Sequence, residues 1–184
     1  MGRSPGSDPG TVFGYSAALG GHPLDDHAAV TTGPSLERQA LAVIRVVVGL
    51  MLVSTFFENL AKGAYTPSGY KGVIDFYIKN GHSPAFWKAI ESVLAANASI
   101  VGPLQAIGEL GMGVALVAGV AIRVVGVAAG GFLFGLWLSE LGAAWPWELA
   151  LYVIAAFCLA WGRAGRTWGV DNLIARRRPD WRLG

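Results

Sequence analysis

The chain has 184 residues, of which 53% are hydrophobic and 14% charged, with a formal net charge of +2. Soluble domains carry nearer a quarter of their residues as charge. A mean hydropathy of +0.48, with the apolar residues gathered into runs, excludes an ordinary water-soluble domain. One cysteine, Cys158, excludes a disulfide framework and a CxxC redox motif. Its place in an apolar run makes it a small filler.

Residues 1–37 are polar and rich in Gly, Pro, Ser and Asp, and they lack the apolar core of a signal peptide. They are expected to form a disordered cytoplasmic tail. His22, Asp25, Asp26 and His27 fall within it, but no second ligand cluster accompanies them, so no metal site is expected.

Four apolar runs follow, over residues 40–57, 100–122, 124–141 and 144–162. Each approaches the length that spans roughly 30 Å of hydrocarbon at about 1.5 Å per helical residue. The expected fold is therefore all-α, an integral membrane four-helix bundle over residues 38–162. The second and third runs are separated by little more than Ile122 and Arg123, which forces an antiparallel hairpin.

Between the first two runs lies a long segment, Glu58 to Ser99. Ser83 is a plausible N-cap with Pro84 at the first helical position. Phe86, Ile90, Val93 and Leu94 then recur at helical spacing, with Lys88 and Glu91 elsewhere on the wheel. This predicts an external amphipathic helix on the surface or across the bundle mouth, running on into the second span with a kink at Pro103. Small residues supply candidate helix seams: Gly126–Gly130 and Gly131–Gly135 as two G-x-x-x-G patterns, and Gly108, Gly111, Gly113, Ala115 and Gly119 in the second run. Trp137, Trp145, Trp147 and Tyr152 gather toward one end and Trp161 and Trp168 toward the other, as an aromatic belt would.

Arg38 precedes the first span, Arg123 lies between the second and third, and six arginines lie in the basic C-terminal segment, residues 163–184. With four spans all these fall on one side, so the positive-inside rule puts both termini in the cytoplasm. Lys62, Lys71, Lys79 and Lys88 fall opposite. Anionic lipid accounts for the arginines next to the membrane, and nothing in the sequence points to nucleic acid.

Charged residues inside spans are costly, by roughly 2.5–3.5 kcal/mol at mid-bilayer on insertion scales, and face protein, a partner charge or water. Arg45 and Glu109 are the candidates. One expectation is a structural ion pair between them, direct or through one water. The other makes them site residues, with Glu109 in a polar pocket handling a proton or a quinone oxygen. Glu58, Glu140 and Glu148 lie toward the opposite helix ends, as a converging mouth or as separate rim charges. No cofactor motif is detectable: the three histidines lie outside the spans, and no phosphate loop follows a strand.

"IRVVVGLML" places Arg45 four residues before Gly49. "GELGMGVALVAGVAIR" aligns Glu109, Gly111, Gly113, Gly119 and Arg123, and "GRTWGVDNLIARR" supplies Gly165, Trp168, Asp171 and Asn172. This order, from Arg38 to Arg178, resembles the DoxX/DoxD-like family of four-helix membrane proteins. The pattern departs from the family at "FFENLAKG", where Glu58 and Asn59 stand in place of a small residue before Lys62. The resemblance implies a membrane subunit of a quinone-linked oxidoreductase in a bacterial-type inner membrane. It implies quinone as the cofactor, Glu109 and Arg45 at the site, and other protein subunits as partners. The alternative is a non-catalytic accessory subunit that anchors or stabilises a larger membrane complex.

Overall fold

The computed structural model describes Gly2, residues 35–178 and residues 180–183. The expected tail over residues 1–37, with His22, Asp25, Asp26 and His27, lies almost wholly outside the described residues. Within them the chain is all-α: α1 (Leu36–Ala61), α2 (Pro67–Asn80), α3 (Ala85–Ala96), α4 (Ala98–Ala118), α5 (Ile122–Glu140), α6 (Pro146–Trp161), a 3₁₀ turn (Ala164–Arg166) and α7 (Val170–Arg177). No named strand occurs among the described residues.

Three helices, α1, α4 and α5, are long and apolar enough to cross a membrane, and α6 is a shorter apolar helix of 16 residues. By helical rise α1 reaches about 39 Å and α6 about 24 Å. Their outward faces carry large apolar side chains: Leu50, Ile100, Leu104, Ile107, Leu151 and Ile154 are each more than half exposed. Contiguous apolar surface on this scale is untenable in water and natural in lipid, so the chain reads as a membrane protein. Cys158 is on this exposed surface, not in the core. Trp145 and Trp147 are exposed at one end of the helices, Trp161 and Trp168 at the other.

α1 packs on α4 and α5 on α6, and contacts of α1 with α6 and α4 with α5 close the ring. Val48, Leu52, Leu116, Ile122, Leu133 and Leu159 fill its centre. The α1–α4 seam needs two glycines. A Cβ at Gly49 would stand 2.8 Å from the Gly113 carbonyl and Val117, and one at Gly113 would stand 2.9 Å from Val53 Cγ2. In the α5–α6 seam, Gly126 meets the Ala156 carbonyl and Gly130 the Phe157 ring. The expected seam roles of Gly108, Gly111 and Gly131 are not realised, because a Cβ at each would meet nothing within 4 Å. Two back-to-back glycine patterns, offset by five residues, cannot both face one neighbour on a helix with 3.6 residues per turn. Gly113→Val is accordingly expected to cost about 1–3 kcal/mol by overpacking against fixed backbone, whereas Gly111→Val costs nothing. Thermal unfolding of the two variants in one detergent checks the contrast.

The turn between α4 and α5 comprises residues 119–121. Gly119 ends α4 in the left-handed region (φ 73°), as helix C-termini commonly do, and Arg123 lies inside the first turn of α5. The segment between α1 and α4 holds two helices where one was expected. α2 starts on a Thr66 cap that accepts from the Gly69 N–H, with Pro67 at its first position. Ser83 does not cap α3; its hydroxyl donates to the Leu138 and Ser139 carbonyls instead. α3 also turns the reverse way from a core-facing amphipathic helix. Phe86, Ile90 and Val93 are exposed while Glu91 and Ala95 are buried. The break into α4 falls at Asn97 (φ −109°, ψ 26°), and α4 runs on through Pro103.

Candidate functional site

Arg45 and Glu109 do not pair. Arg45 is on α1 level with the end of α4, since a Cβ on Gly119 would collide with its guanidinium. Glu109 lies ten residues earlier on α4, about 15 Å away along the axis. Glu109 therefore lies near the middle of α4 and Arg45 level with its end, and each has its own surroundings.

Around Arg45 the chain ties a knot. Arg45 is 1% exposed. Its Nη1 donates to the Ala164 and Thr167 carbonyls at 3.0 and 3.2 Å, and its Nη2 to the Trp168 carbonyl at 3.2 Å. These carbonyls project from the loop after α6, which therefore folds back beneath the helices instead of leaving as a solvated basic segment. Asp171, fully buried, completes the arrangement. Its Oδ1 accepts from the Ala121 N–H and from Trp181 Nε1, and its Oδ2 from the Ile122 N–H. Ala121 and Ile122 begin α5, where helical N–H groups lack partners of their own. Asp171 supplies from a distant part of the chain the acceptor that a local cap would supply. Gly165 and Gly169 are compulsory here, because a Cβ on either would strike Asp171 or Arg45.

Glu109 belongs to a second cluster, at the end where α2 and α3 pack on the long helices. It is 1% exposed, and its Oε2 accepts from the Tyr65 hydroxyl at 2.8 Å. Its Oε1 is buried with no hydrogen-bond partner among the described residues, although the Asn59 and Gln105 amides lie beside the carboxylate. An orphaned carboxylate oxygen in such surroundings is costly and marks a place where a proton or a ligand belongs.

Two cavities flank it. One, of about 280 Å³, is an apolar groove on the α4 face, lined by Leu94, Val101, Leu104, Gly108, Met112 and Phe132, with Glu109, Gln105 and Tyr70 in its wall. The other, of about 140 Å³, is a mostly apolar chamber in which Val73, Ile74 and Leu136 stand beside Thr55, Asn59, Tyr65, Tyr70, Tyr77 and Glu140. Tyr70 and Gln105 line both. At the far side of the chamber the Tyr77 hydroxyl donates to Glu140 Oε1 at 3.2 Å. Burial pushes the phenols of Tyr65, Tyr70 and Tyr77 above their ordinary range, and Glu109 beside Tyr65 and Glu140 beside Tyr77 add to the rise. All three therefore stay neutral at physiological pH and can each give and accept a hydrogen bond.

Of the three rim carboxylates, only Glu140 faces this chamber. Glu58 is exposed and pairs with Lys62, while Glu148 is exposed but near enough to Glu140 to act on its charge. Glu91 was missed by the sequence reading. It is fully buried under α3 with both oxygens unpartnered, near enough to Tyr77 to act on its phenol. Tyr65 was missed as well. Its signal was the short "AYTPSGY" link, in which the Thr66–Pro67 start of α2 fixes the preceding residue against α4. Among the described residues no group of three or more His, Cys, Asp or Glu is placed to hold a metal ion.

No family model matches the chain, and no curated protein or solved structure is significantly similar to it. Function must therefore be argued from the two clusters themselves.

Proposed function

We propose that the chain is a DoxX-like four-helix integral membrane protein that serves as the quinone-facing membrane subunit of an oxidoreductase. In this reading α6 is the fourth span, the knot end and both termini are cytoplasmic, and α2 and α3 cover the opposite end. The observation that carries it is Glu109 Oε1, a buried carboxylate oxygen without a partner in the wall of an apolar groove on α4.

The residues present fit a quinone. Lipid-soluble rings reach a site through apolar walls, and the groove is lined by Leu104, Met112 and Phe132 beside a Gly108 that leaves space. Polar atoms are few and gathered at one place, as small-molecule sites require: Glu109, Gln105 and Tyr70. When bound, the group supplies two-electron, two-proton redox chemistry, the electrons coming from a partner subunit. The chain's own part is to hold a proton at Glu109 Oε1 and to fix that carboxyl through the Tyr65 hydroxyl. Behind it, the chamber has room for about four waters at roughly 30 Å³ each. It leads from Tyr65 past Tyr70 to Tyr77 and Glu140, and water between these phenols and the Glu140 carboxyl would pass a proton toward Glu109. Arg45 takes no part in this chemistry, since its Nη atoms are engaged by loop carbonyls.

The test uses the space at Gly108. Gly108→Leu fills the groove without meeting a neighbour, and leaves Glu109 and the knot untouched. Photolabelling of membranes with an azido-quinone is expected to mark α4 peptides in the wild-type chain and to fall at least tenfold in the variant. Equal labelling of the two would remove the reading. The accessory-subunit alternative is favoured by one observation: Trp168 and Leu173 are exposed beside Arg176, Arg177 and Arg178, a mixed apolar and basic surface suited to a protein partner.

A further inference from the structure

Four arginines meet at the knot end with a single carboxylate, Asp180, among the described residues that line the same cavity. Arg123 of α5, Arg163 and Arg166 after α6, and Arg182 border one cavity of about 440 Å³, together with Asp180 and Trp181. Among the described residues the only side-chain ion pairs are Lys62–Glu58 and Lys71–Asp75, so none of the four is paired. Asp180 is the one acidic residue among the described residues of the lining, where four arginines outnumber it.

The cavity is built, not a chance gathering of surface arginines. The Arg123 N–H donates to the Leu183 carbonyl at 3.0 Å, and Arg123 Nη1 to the Arg182 carbonyl at 3.4 Å. Arg166 Nη2 donates to the Trp181 carbonyl at 3.2 Å, and Trp181 Nε1 is tied to Asp171. Residues 180–183 are thereby held against the start of α5. Arg163 is kept in the left-handed region (φ 50°). Arg166 Nε is buried with no hydrogen-bond partner among the described residues, a donor left over while Nη2 holds the Trp181 carbonyl.

A second cavity adjoins the first and shares Arg123. It is an apolar groove of about 420 Å³ between α5 and α6, lined by Val127, Phe157, Ala160 and Trp161. Val127 and Trp161 are 55% and 82% exposed on the outward face of the helices. The polar cavity and the apolar groove thus meet at one guanidinium, charge on the side of the loop and hydrocarbon along the helices.

We propose that these two cavities together bind one anionic phospholipid. Its phosphate oxygens lie among Arg123, Arg163, Arg166 and Arg182, and an acyl chain lies along Val127, Phe157 and Trp161. Guanidinium forks suit phosphate oxygens geometrically, and basic pockets beside membrane helices suit anionic headgroups. Four unpaired arginines against one aspartate favour a headgroup with more than one negative charge, such as a lipid with two phosphodiesters. The shared chemistry is phosphate recognition; the apolar groove is what selects a lipid over a free phosphate. The site is independent of the quinone reading, since none of its lining residues borders either cavity beside Glu109.

Native mass spectrometry of the full chain released from nanodiscs tests it. The nanodiscs hold phosphatidylcholine with one-tenth cardiolipin. One cardiolipin is expected to stay bound to the wild-type chain. The Arg163→Gln/Arg182→Gln variant, which changes two exposed side chains, is expected to retain it at least tenfold less. Val127→Trp, which fills the groove and leaves all four arginines in place, should lower retention as well, so the test does not depend on the arginine variant folding. Inorganic phosphate at 10 mM, an approximate working excess over the lipid, should not displace it. Equal retention by both variants and the wild type would overturn the proposal. Displacement by phosphate, with Val127→Trp unaffected, would overturn the lipid in favour of a soluble phosphate.

Discussion

Arg45→Ala is expected to loosen the knot end of the helix bundle and to lower stability by about 3–5 kcal/mol, the range for removing one member of a buried charged network. Three carbonyls lose their donor at once, those of Ala164, Thr167 and Trp168. Asp171 keeps its N–H partners but loses the nearby positive charge. Arg45→Lys should recover only part of the loss, because a single ammonium cannot reproduce the guanidinium fork. Thermal unfolding in detergent reads the effect. Limited proteolysis adds a local readout, with new cleavage expected around residues 163–169. A variant that kept its melting temperature but lost quinone labelling would overturn this assignment and return Arg45 to the site.

Glu109→Gln is expected to act in the opposite way. The amide oxygen can still accept from Tyr65, and the buried carboxylate, costly when ionised, is gone. Stability should therefore hold or rise. What disappears is the proton held at Oε1. Loss of a positioned general acid typically lowers turnover by roughly 10²–10⁴-fold, so quinone reduction by membranes carrying the variant should fall within that range. Tyr65→Phe leaves the carboxyl in place but removes the hydrogen bond from the Tyr65 hydroxyl, and a smaller fall is expected. Unchanged turnover in Glu109→Gln at normal protein level would dispose of the catalytic reading. A large loss of stability instead would show Glu109 to be a structural group.

The long helices were legible in the sequence because their signal is length. An apolar run of about twenty residues has few alternatives to a spanning helix, and α1, α4 and α5 lie within a few residues of the runs over 40–57, 100–122 and 124–141. α2 was not legible from apolar periodicity, since Tyr70, Lys71, Asp75 and Tyr77 mix polar and aromatic character. Its start, Thr66 followed by Pro67, was nevertheless a readable cap. The orientation of α3 was open to two readings, and the fold settles it by burying Glu91 and exposing Phe86.

Candidate residues were easier to find than their partners. Arg45 and Glu109 stood out as charges within apolar runs, and both are buried. Depth along two antiparallel helices gave no means of telling that Gly119, and not Glu109, lies beside Arg45. Asp171 entered only through the resemblance. Its role as a remote cap for α5 depends on a loop folding back over some fifty residues of chain, which no local pattern encodes. The glycines at 119, 165 and 169 were the available hint, three places where the backbone closes around two charged side chains.

The knot also orders events in time. Ala121, Arg163 and Trp168 all hold left-handed backbone without being glycine, at about 1–2 kcal/mol each, and all three surround Arg45 and Asp171. The donors at Ala121 and Ile122 are synthesised 50 and 49 residues before the aspartate that satisfies them. At about 5–20 residues per second the hairpin of α4 and α5 waits seconds with its bend unfastened. During that interval the nascent chain presents bare amides at the membrane edge and an arginine with no carbonyls to grip.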